Sequence, residues 1–297
     1  MKLRYLPFPL VAAIFALSGC ATTSQDGGTE PAAAQRQDAA AVQQQGAAVV
    51  SLEDSQKAAK EYDDIAMQHI ARGEYAQAQD WYSRALLIRK RTLGEVHPET
   101  IATYDSLAWL NLSKGSYEET LKWYQEALAL RERSPSRDMT DKIINLENIA
   151  NVHYRQGEHN QALEWYRKTV ELRESAQGKE HPDTIADYHR IARIYAAQFD
   201  FRNALAWYKK ALAVQKKNLG KDHPAIAPLH NDIANVYFDR GDYDRALSEC
   251  LVAYKIFAKK FGPQHQGSVL VKTNLERIYK GSSRPAPFKD WLAENMR

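Results

Sequence analysis

Four histidines recur at a fixed spacing and are the first residues to consider for chemistry. His97, His181, His223 and His265 are separated by 42 residues or by twice that number. Imidazole is the commonest side chain that binds metals in proteins, and each ligand atom must lie about 2 Å from the ion. Such a spacing places the histidines in successive units of the chain rather than around one point. We therefore predict a structural role in turns and no metal site.

The other residues that could support catalysis lack the arrangements that enzymes need. The sequence contains no phosphate-binding loop, no Cys-x-x-Cys pair and no nucleophile motif. Its two cysteines stand in different contexts, since Cys20 follows an apolar leader and Cys250 occupies a position that other units fill with tyrosine. Cys250 is therefore predicted to be a small core residue rather than half of a disulfide. We predict a protein without enzymatic activity and without a cofactor.

The chain is built from one unit that recurs every 42 residues. Gly73, Gly115, Gly157 and Gly241 mark the same position in four units, and Phe199 holds that position in another. Each unit has two apolar stripes of helical periodicity on either side of this position, which predicts a helical hairpin. A fixed period of this length is typical of a solenoid, in which each unit packs on its neighbours.

Successive units are joined by a short motif that suits the end of one helix and the start of the next. It reads Gly-Glu-Val-His-Pro at 94–98, Gly-Lys-Glu-His-Pro at 178–182 and Gly-Lys-Asp-His-Pro at 220–224, and it fades to Gly-Pro-Gln-His at 262–265. Glycine favours helix ends and proline favours helix starts. With its 42-residue period, the pattern resembles the tetratricopeptide repeats of kinesin light chains. Ser-Pro-Ser-Arg at 134–137 departs from the motif.

The resemblance covers most of the chain and implies an all-α fold. We expect a right-handed superhelical solenoid of five helical hairpins within residues 53–281, capped by a lone helix from about Gly267 to Lys280. The hairpins are expected to begin near Lys57, Glu99, Asp141, Asp183 and Ala225.

In tetratricopeptide arrays, the first helix of each hairpin lines a concave groove that binds peptides, and the resemblance implies which positions face it. Carried over by register, the groove residues are expected to be Asn151, Arg193, Asn235, Arg277, Trp109, Tyr154, Arg155, His189, Asn231 and Phe238.

The first four of these residues form a ladder of long donors at the repeat spacing. Side-chain amides can bond a peptide backbone whatever its sequence, and arginine can hold a carboxylate with two hydrogen bonds. The ladder therefore favours a peptide or helix with acidic and apolar elements. The alternative is that these residues are solvated polar side chains on an exposed face.

A second ladder consists of the tryptophans Trp81, Trp123, Trp165 and Trp207 on the second helices. Large aromatic side chains gain most from burial, so we predict that they pack between adjacent repeats. A binding stripe on the convex side is the alternative.

Residues 1–19 have the pattern of a bacterial export signal. A positively charged start precedes an apolar run that is too short to span a bilayer. The run ends in Leu-Ser-Gly-Cys at 17–20, which resembles the lipobox of bacterial lipoproteins and implies that Cys20 carries acyl chains. Ala21 implies, by the same resemblance, sorting to the outer membrane, facing the periplasm. Ordinary cleavage beside an incidental cysteine is the alternative.

The folded array is expected to stand between two segments of different composition. Residues 20–52 are rich in Ala, Gln, Ser and Thr, which predicts a flexible tether with a span of about 30 Å. Residues 282–297 contain prolines and then a short amphipathic helix with Phe288, Trp291 and Leu292 on one face. This helix is expected to dock on its own array; it could also bind another chain or occupy its own groove.

The formal net charge of +3 does not favour nucleic acid as a partner. We expect a scaffold or adaptor, anchored by lipid in the bacterial envelope, that holds a peptide or an envelope protein in its groove. It would regulate peptidoglycan enzymes or assemble an outer-membrane or secretion complex. The alternative is a lipoprotein that binds a glycan or a peptidoglycan fragment. The sequence indicates neither the partner nor the oligomeric state.

Overall fold

The computed structural model describes residues 51–135 and 139–296, and all regular secondary structure in these residues is helical. Cys20, the predicted leader and most of the predicted tether lie outside the described residues. The helices are α1 (Leu52–Ala71), α2 (Tyr75–Thr92), α3 (Pro98–Lys114), α4 (Tyr117–Arg133), α5 (Thr140–Arg155), α6 (His159–Gln177), α7 (Pro182–Ala197), α8 (Phe201–Leu219), α9 (Ala227–Asp239), α10 (Tyr243–Phe261), α11 (Gln266–Gly281) and α12 (Phe288–Asn295).

The helices form five consecutive hairpins, followed by α11 as an unpaired helix. The closest packing lies within the pairs α1–α2, α3–α4, α5–α6, α7–α8 and α9–α10, and each second helix also packs on the first helix of the next hairpin. Alanines at the helix crossings, such as Ala78 and Ala162, are fully buried and let the backbones approach, while Tyr82 and Tyr166 fill the space beside them. The predicted all-α solenoid is confirmed. No helix among the described residues is long and apolar enough to cross a bilayer.

Each hairpin turn is closed by backbone hydrogen bonds that require a left-handed residue. At Gly157, φ is +78°, and the N–H groups of Gly157 and Glu158 donate to the carbonyls of Tyr154 and His153. Glycine adopts this conformation without steric cost. Phe199 adopts it too, with φ of 60°, and its side chain is 66% exposed. The chain therefore keeps the turn there at the expense of local strain.

The recurring histidines close the linkers between hairpins. In the four linkers that contain one, the histidine is the residue before the helix, and its Nδ1 accepts a hydrogen bond from the backbone N–H two residues on, as His181 does from Asp183 at 3.2 Å. Thr184 Oγ1 adds a bond to the carbonyl of Gly178 at 2.9 Å. His97, His223 and His265 make the same capping contact. The described residues contain no group of His, Cys, Asp and Glu able to hold a metal ion.

Three arginines with mostly buried side chains recur on the second helices of the first three hairpins. Arg89, Arg131 and Arg173 occupy the same register on α2, α4 and α6, and each pairs with an acidic residue on the first helix of its own hairpin. Arg89 also donates to Thr103 on the next first helix, and Arg173 donates to Asp187 there, both at 2.7 Å. Arg89 and Arg173 thus bond one repeat to the next, and at the intervening interface Asn145 of α5 donates to Asp105, the partner of Arg131.

The tryptophan ladder lies within the hairpins. Three of the four rings contact a tyrosine on the first helix of the same hairpin, with centroid distances of 5.0 to 5.7 Å. Trp123 and Trp165 also each border two of the core clusters. The ladder therefore joins the two helices of a hairpin as well as adjacent repeats.

The C-terminal helix α12 docks on the array. Phe288 and Trp291 contact the ring of Tyr279 on α11 at 5.5 and 5.1 Å, and Leu292 is buried beside them. The Tyr279 hydroxyl donates to the carbonyl of Ala286 at 2.8 Å. These contacts cover the apolar end of the array, so this helix is part of the fold in the described chain.

Candidate functional site

The first helices of the hairpins, α1, α3, α5, α7 and α9, lie side by side with α11 and form a continuous face. Side chains bridge neighbouring helices along it: His189 Nε2 lies 2.6 Å from Asp232 Oδ2, and Asn274 Nδ2 donates to Asn231 Oδ1 at 2.7 Å. We call this face the groove. It carries the residues that the sequence predicted as ligand-binding.

Four of the predicted residues meet at the C-terminal end of the groove. Arg277 donates to Asn235 Oδ1 at 2.8 Å, and its guanidinium lies 4.3 Å from the centre of the Phe238 ring. Asn274 donates to both Asn231 and Asn235. These donors and acceptors hold one another in place, so a ligand here would meet a prearranged set of amide and guanidinium groups.

Asn274 is a residue of this cluster that the sequence reasoning missed. It lies 42 residues after Asp232, which itself lies 42 residues after Arg190, and all three take part in hydrogen bonds or ion pairs near the groove. The recurrence of a polar residue at this register was the available signal.

Five other predicted residues lie at the middle of the groove. Asn151 Oδ1 accepts a hydrogen bond from the Tyr166 hydroxyl at 2.5 Å, which ties it to the second helix of its hairpin. His189, besides its bond to Asp232, contacts the edge of the Tyr208 ring. Of the remaining residues, Tyr154 and Arg193 are half-buried and Arg155 is exposed.

The N-terminal end of the groove is more apolar. A depression of about 360 Å³ lies between α1, α3 and α5, and Met67, Tyr82, Trp109 and Tyr124 are among its lining residues. Met67 is 53% exposed and Trp109 is 38% exposed. Large apolar side chains exposed together in a concavity are typical of a binding surface. Trp109 is the predicted residue at this end.

A row of apolar residues recurs near the start of α3, α5, α7, α9 and α11; the equivalent residue of α1 is Lys60. Ile144 is 48% exposed and Leu270 is 63% exposed, and small or cyclic residues occupy the same register between them. The members of the row are Ala102, Ile144, Ala186, Pro228 and Leu270. The groove can therefore contact apolar side chains along much of its length.

Ion pairs with arginines neutralise two acidic residues near the N-terminal end of the groove. Asp63 and Asp105 pair with Arg89 and Arg131. Burial raises the pKa of Asp105 above its usual range, and Arg131 opposes that rise. A carboxylate whose charge is matched by a buried arginine does not repel an acidic ligand as a lone carboxylate would.

The third ion pair belongs to a larger network. Arg173 donates to Glu147 at 2.8 Å and to Asp187 at 2.7 Å, and Arg190 contacts the other oxygens of both carboxylates at 2.8 and 2.7 Å. Asp187 is fully buried, and burial raises its pKa while the two arginines oppose the rise. This network fixes α5, α6 and α7 relative to one another beneath the groove.

Comparison with known proteins decides the family. The tetratricopeptide repeat model matches residues 56–133, 142–217 and 188–249, which is more than half of the chain. The chain belongs to the tetratricopeptide repeat family. Tetratricopeptide repeat (TPR) proteins are generally non-catalytic scaffolds for protein interaction, and the helical hairpins and the groove are those of this family.

Solved structures give the same fold. The chain resembles a protein of Podosopora anserina, described as a kinesin light chain with nearly identical TPR-like repeats, at 21% identity and a TM-score of 0.58; the match covers 68% of this chain and 96% of that one. It also resembles BtubC (BKLC) of P. vanneervenii at 19% identity and a TM-score of 0.54, over 78% of this chain and 84% of that one. No curated protein sequence matches the chain.

Proposed function

We propose that this TPR protein is a lipid-anchored scaffold of the bacterial envelope, which holds a partner protein by binding an extended segment in its groove. The observation that carries the proposal is the composition of the groove. Exposed apolar side chains extend from Met67 to Leu270, and a prearranged cluster of amides and a guanidinium lies at the C-terminal end.

This composition suits a segment that carries both apolar and acidic side chains. The apolar row offers burial to large side chains, which contributes about 25 cal/mol for each Å² removed from water. Asn235 and Arg277 offer hydrogen bonds to a backbone or a carboxylate. Asp63 and Asp105 of the groove are matched by arginines.

The anchor is supported by sequence alone. The apolar leader followed by Leu-Ser-Gly-Cys at 17–20 resembles a lipobox, and acyl chains on Cys20 would keep the array at the membrane. Tethering raises the effective concentration of the scaffold near other membrane proteins, so each groove contact can be individually weak. Outer-membrane sorting and a periplasmic location belong to this proposal.

The groove is tested by crosslinking the full-length protein in intact cells and identifying its partners by mass spectrometry. The variant is the triple substitution Asn151→Ala, Arg193→Ala and Asn235→Ala. Its control is Gln125→Ala, Gln161→Ala and Arg202→Ala, which removes two exposed amides and one exposed arginine from second helices. We expect specific partners to be lost from the variant and retained by the control, with both proteins melting as cooperatively as the parent.

Two results would contradict the proposed groove function. One is an unchanged set of partners in the groove variant. The other is groove-dependent sedimentation with purified cell-wall sacculi and no groove-dependent protein partner, which would favour a glycan ligand. The anchor is tested separately by metabolic labelling with a fatty-acid analogue, where label that persists in Cys20→Ser would overturn it.

A further inference from the structure

One edge of the array carries a concentration of positive charge that the groove does not use. The ends of α8 and α10, with the linkers that follow them, bring together residues 216–223 and 258–265, which we call the basic edge. Five lysines and a single acidic residue lie in these segments. The lysines are Lys216, Lys217, Lys221, Lys259 and Lys260, and the acid is Asp222.

Contacts show that the two segments form one surface. Lys259 Nζ lies 3.6 Å from Asp222 Oδ2, which places the end of α10 beside the linker after α8. Asn218 Nδ2 donates to the carbonyl of Glu180 at 2.8 Å, which extends the surface to the preceding linker. The lysines lie outside the core, since Lys217 and Lys259 have side chains that are 72% and 78% exposed. Each of these two contacts one carboxylate, that of Glu180 for Lys217 and that of Asp222 for Lys259, so the five lysines of the edge outnumber the acids that they contact among the described residues by three.

Two large apolar side chains project among these lysines. Leu219 is 44% exposed and Phe261 is 46% exposed, and the Phe261 ring stacks on the exposed imidazole of His265 at 4.6 Å. Leu219 and Phe261 hold the same register, each as the last residue of its helix. An apolar residue set between lysines at the end of each helix is an arrangement that can insert into the headgroup region of a bilayer.

The opposite edge of the same two hairpins has no such excess. The hairpin turns and the first residues of α8 and α10 contain three acids and three arginines, so their charges cancel. The acids are Asp200, Asp242 and Asp244, and the arginines are Arg202, Arg240 and Arg245. The helix α8 itself contains five cationic residues and no acidic residue. The C-terminal repeats are therefore electrically polarised from one edge to the other, which would orient them above a charged plane.

We infer that the basic edge docks on an anionic lipid surface. The depression at Met67 and Trp109 lies on the groove. The basic edge instead presents separate projecting side chains, which suit a deformable plane of headgroups. The edge lies at the ends of the second helices, so docking would leave the groove accessible to its partner. This inference is independent of what the groove binds.

The test measures partitioning of the full chain onto vesicles. Cys20→Ser is used throughout to remove acylation, and vesicles of equimolar phosphatidylcholine and phosphatidylglycerol are compared with vesicles of phosphatidylcholine alone. Any contribution of the apolar leader is common to both, so the ratio of the two partition coefficients reports the anionic contribution. We expect a ratio well above one that falls at high salt, because salt screens exposed charges.

The variant replaces Lys217, Lys221, Lys259 and Lys260 by glutamine. Each lysine near an anionic surface raises the partition coefficient roughly 5-fold, so replacing all four should lower the ratio by roughly 100-fold or more. The control replaces Lys57, Lys60, Lys114 and Lys122 by glutamine, which makes the same change in net charge on other exposed positions. It should lower the ratio far less.

The apolar contribution is tested by Leu219→Ser with Phe261→Ser, which should lower binding to anionic vesicles and leave the groove partners unchanged. A ratio near one for the parent would overturn the inference. So would equal losses in the lysine variant and its control, which would mean that net charge alone attracts the protein. Binding of a soluble acidic protein that depends on the edge lysines, without vesicle binding, would assign the edge to a protein partner instead.

Discussion

At the residue scale, single side chains adjust a repeated frame whose backbone hardly changes. Phe199 adopts the left-handed conformation that glycine adopts at the same position in four other hairpins. Cys250 replaces tyrosine and is fully buried, with its Sγ 3.6 Å from the carbonyl of Val271. The repeat thus tolerates changes of residue type where the backbone contacts around the site remain.

The left-handed turns give a direct prediction. Gly157→Ala should lower the free energy of unfolding by about 1 kcal/mol, because a Cβ is strained at positive φ even where space is open. Phe199→Ala is the matched control, since it exchanges one residue with a Cβ for another in the same conformation, and it should change stability by less than about 0.5 kcal/mol. Chemical denaturation measures both, and equal losses would show that the turn strain is unimportant.

The buried thiol predicts a pH dependence. Burial raises the pKa of Cys250 to about 12, above its ordinary value of 9.0. Above pH 9 the unfolded thiol loses its proton while the folded one keeps it, so stability falls as pH rises from about 9 to about 12. Cys250→Ala should make that fall shallower, by about 1.4 kcal/mol for each pH unit in this window. An unchanged slope in alkaline denaturation would contradict this assignment.

At the scale of elements, the hairpin is a unit whose two helices are held by local contacts. Residues that favour helix ends and helix starts mark its boundaries in the sequence. Gly178 ends α6, and the His181-Pro182 pair begins α7 with a cap and a fixed φ. This is why the helices could be predicted closely. Helix-boundary signals do not assign α12 to the array, because only its docking on Tyr279 shows that it belongs there.

Docking of α12 should contribute to stability. Trp291→Ala should lower the free energy of unfolding by about 2 kcal/mol, since it removes the ring that packs on Tyr279 and Phe288. Lys289→Ala, on the exposed side of the same helix, should change it by less than about 0.5 kcal/mol. Thermal melting followed by circular dichroism distinguishes them, and a silent Trp291→Ala would mean that the helix does not hold the end of the array.

At the scale of the whole molecule, the coupling between repeats changes along the chain. The first three hairpins each use a buried arginine that pairs with an acid in its own hairpin. In the last two, Gln215 and Phe257 take the arginine position, and Leu229 takes the place that Asp187 has one repeat earlier. In a solenoid, stability is a sum of repeat and interface contributions, so the interfaces set how cooperatively the array unfolds.

The network at Arg173 tests this coupling. Arg173→Ala should cost about 3 kcal/mol, because it removes one of the two arginines that contact fully buried Asp187. The double variant Arg173→Gln with Asp187→Leu copies the pairing that the next repeat uses, Gln215 with Leu229, and should regain much of the loss. Urea unfolding measures both free energies. Failure of the double variant to recover would mean that the network has a role beyond matching charge.

The groove was less predictable than the fold, for a physical reason. Register predicted which positions on the first helices face the ligand side, but it could not show that Asn235 and Arg277 bond each other and that both also bond Asn274. Such partners depend on side-chain conformations across two repeats. The arginine at 173 was equally hidden, because a cation on a second helix has the pattern of a solvent-exposed residue. Its constant separation from the acids of the first helices was the overlooked signal.

The linkers have a consequence for how such a chain can change in evolution. The cap of His181 and the bond from Thr184 to Gly178 join only the linker and the first turn of α7, which follows it. Equivalent bonds close the linker at Gly262 through Ser268 and His265. Duplication or loss of one whole unit would therefore break none of the bonds that close the junctions. Gene duplication can therefore change the length of the groove in steps of one repeat, and the same architecture can bind partner segments of different lengths.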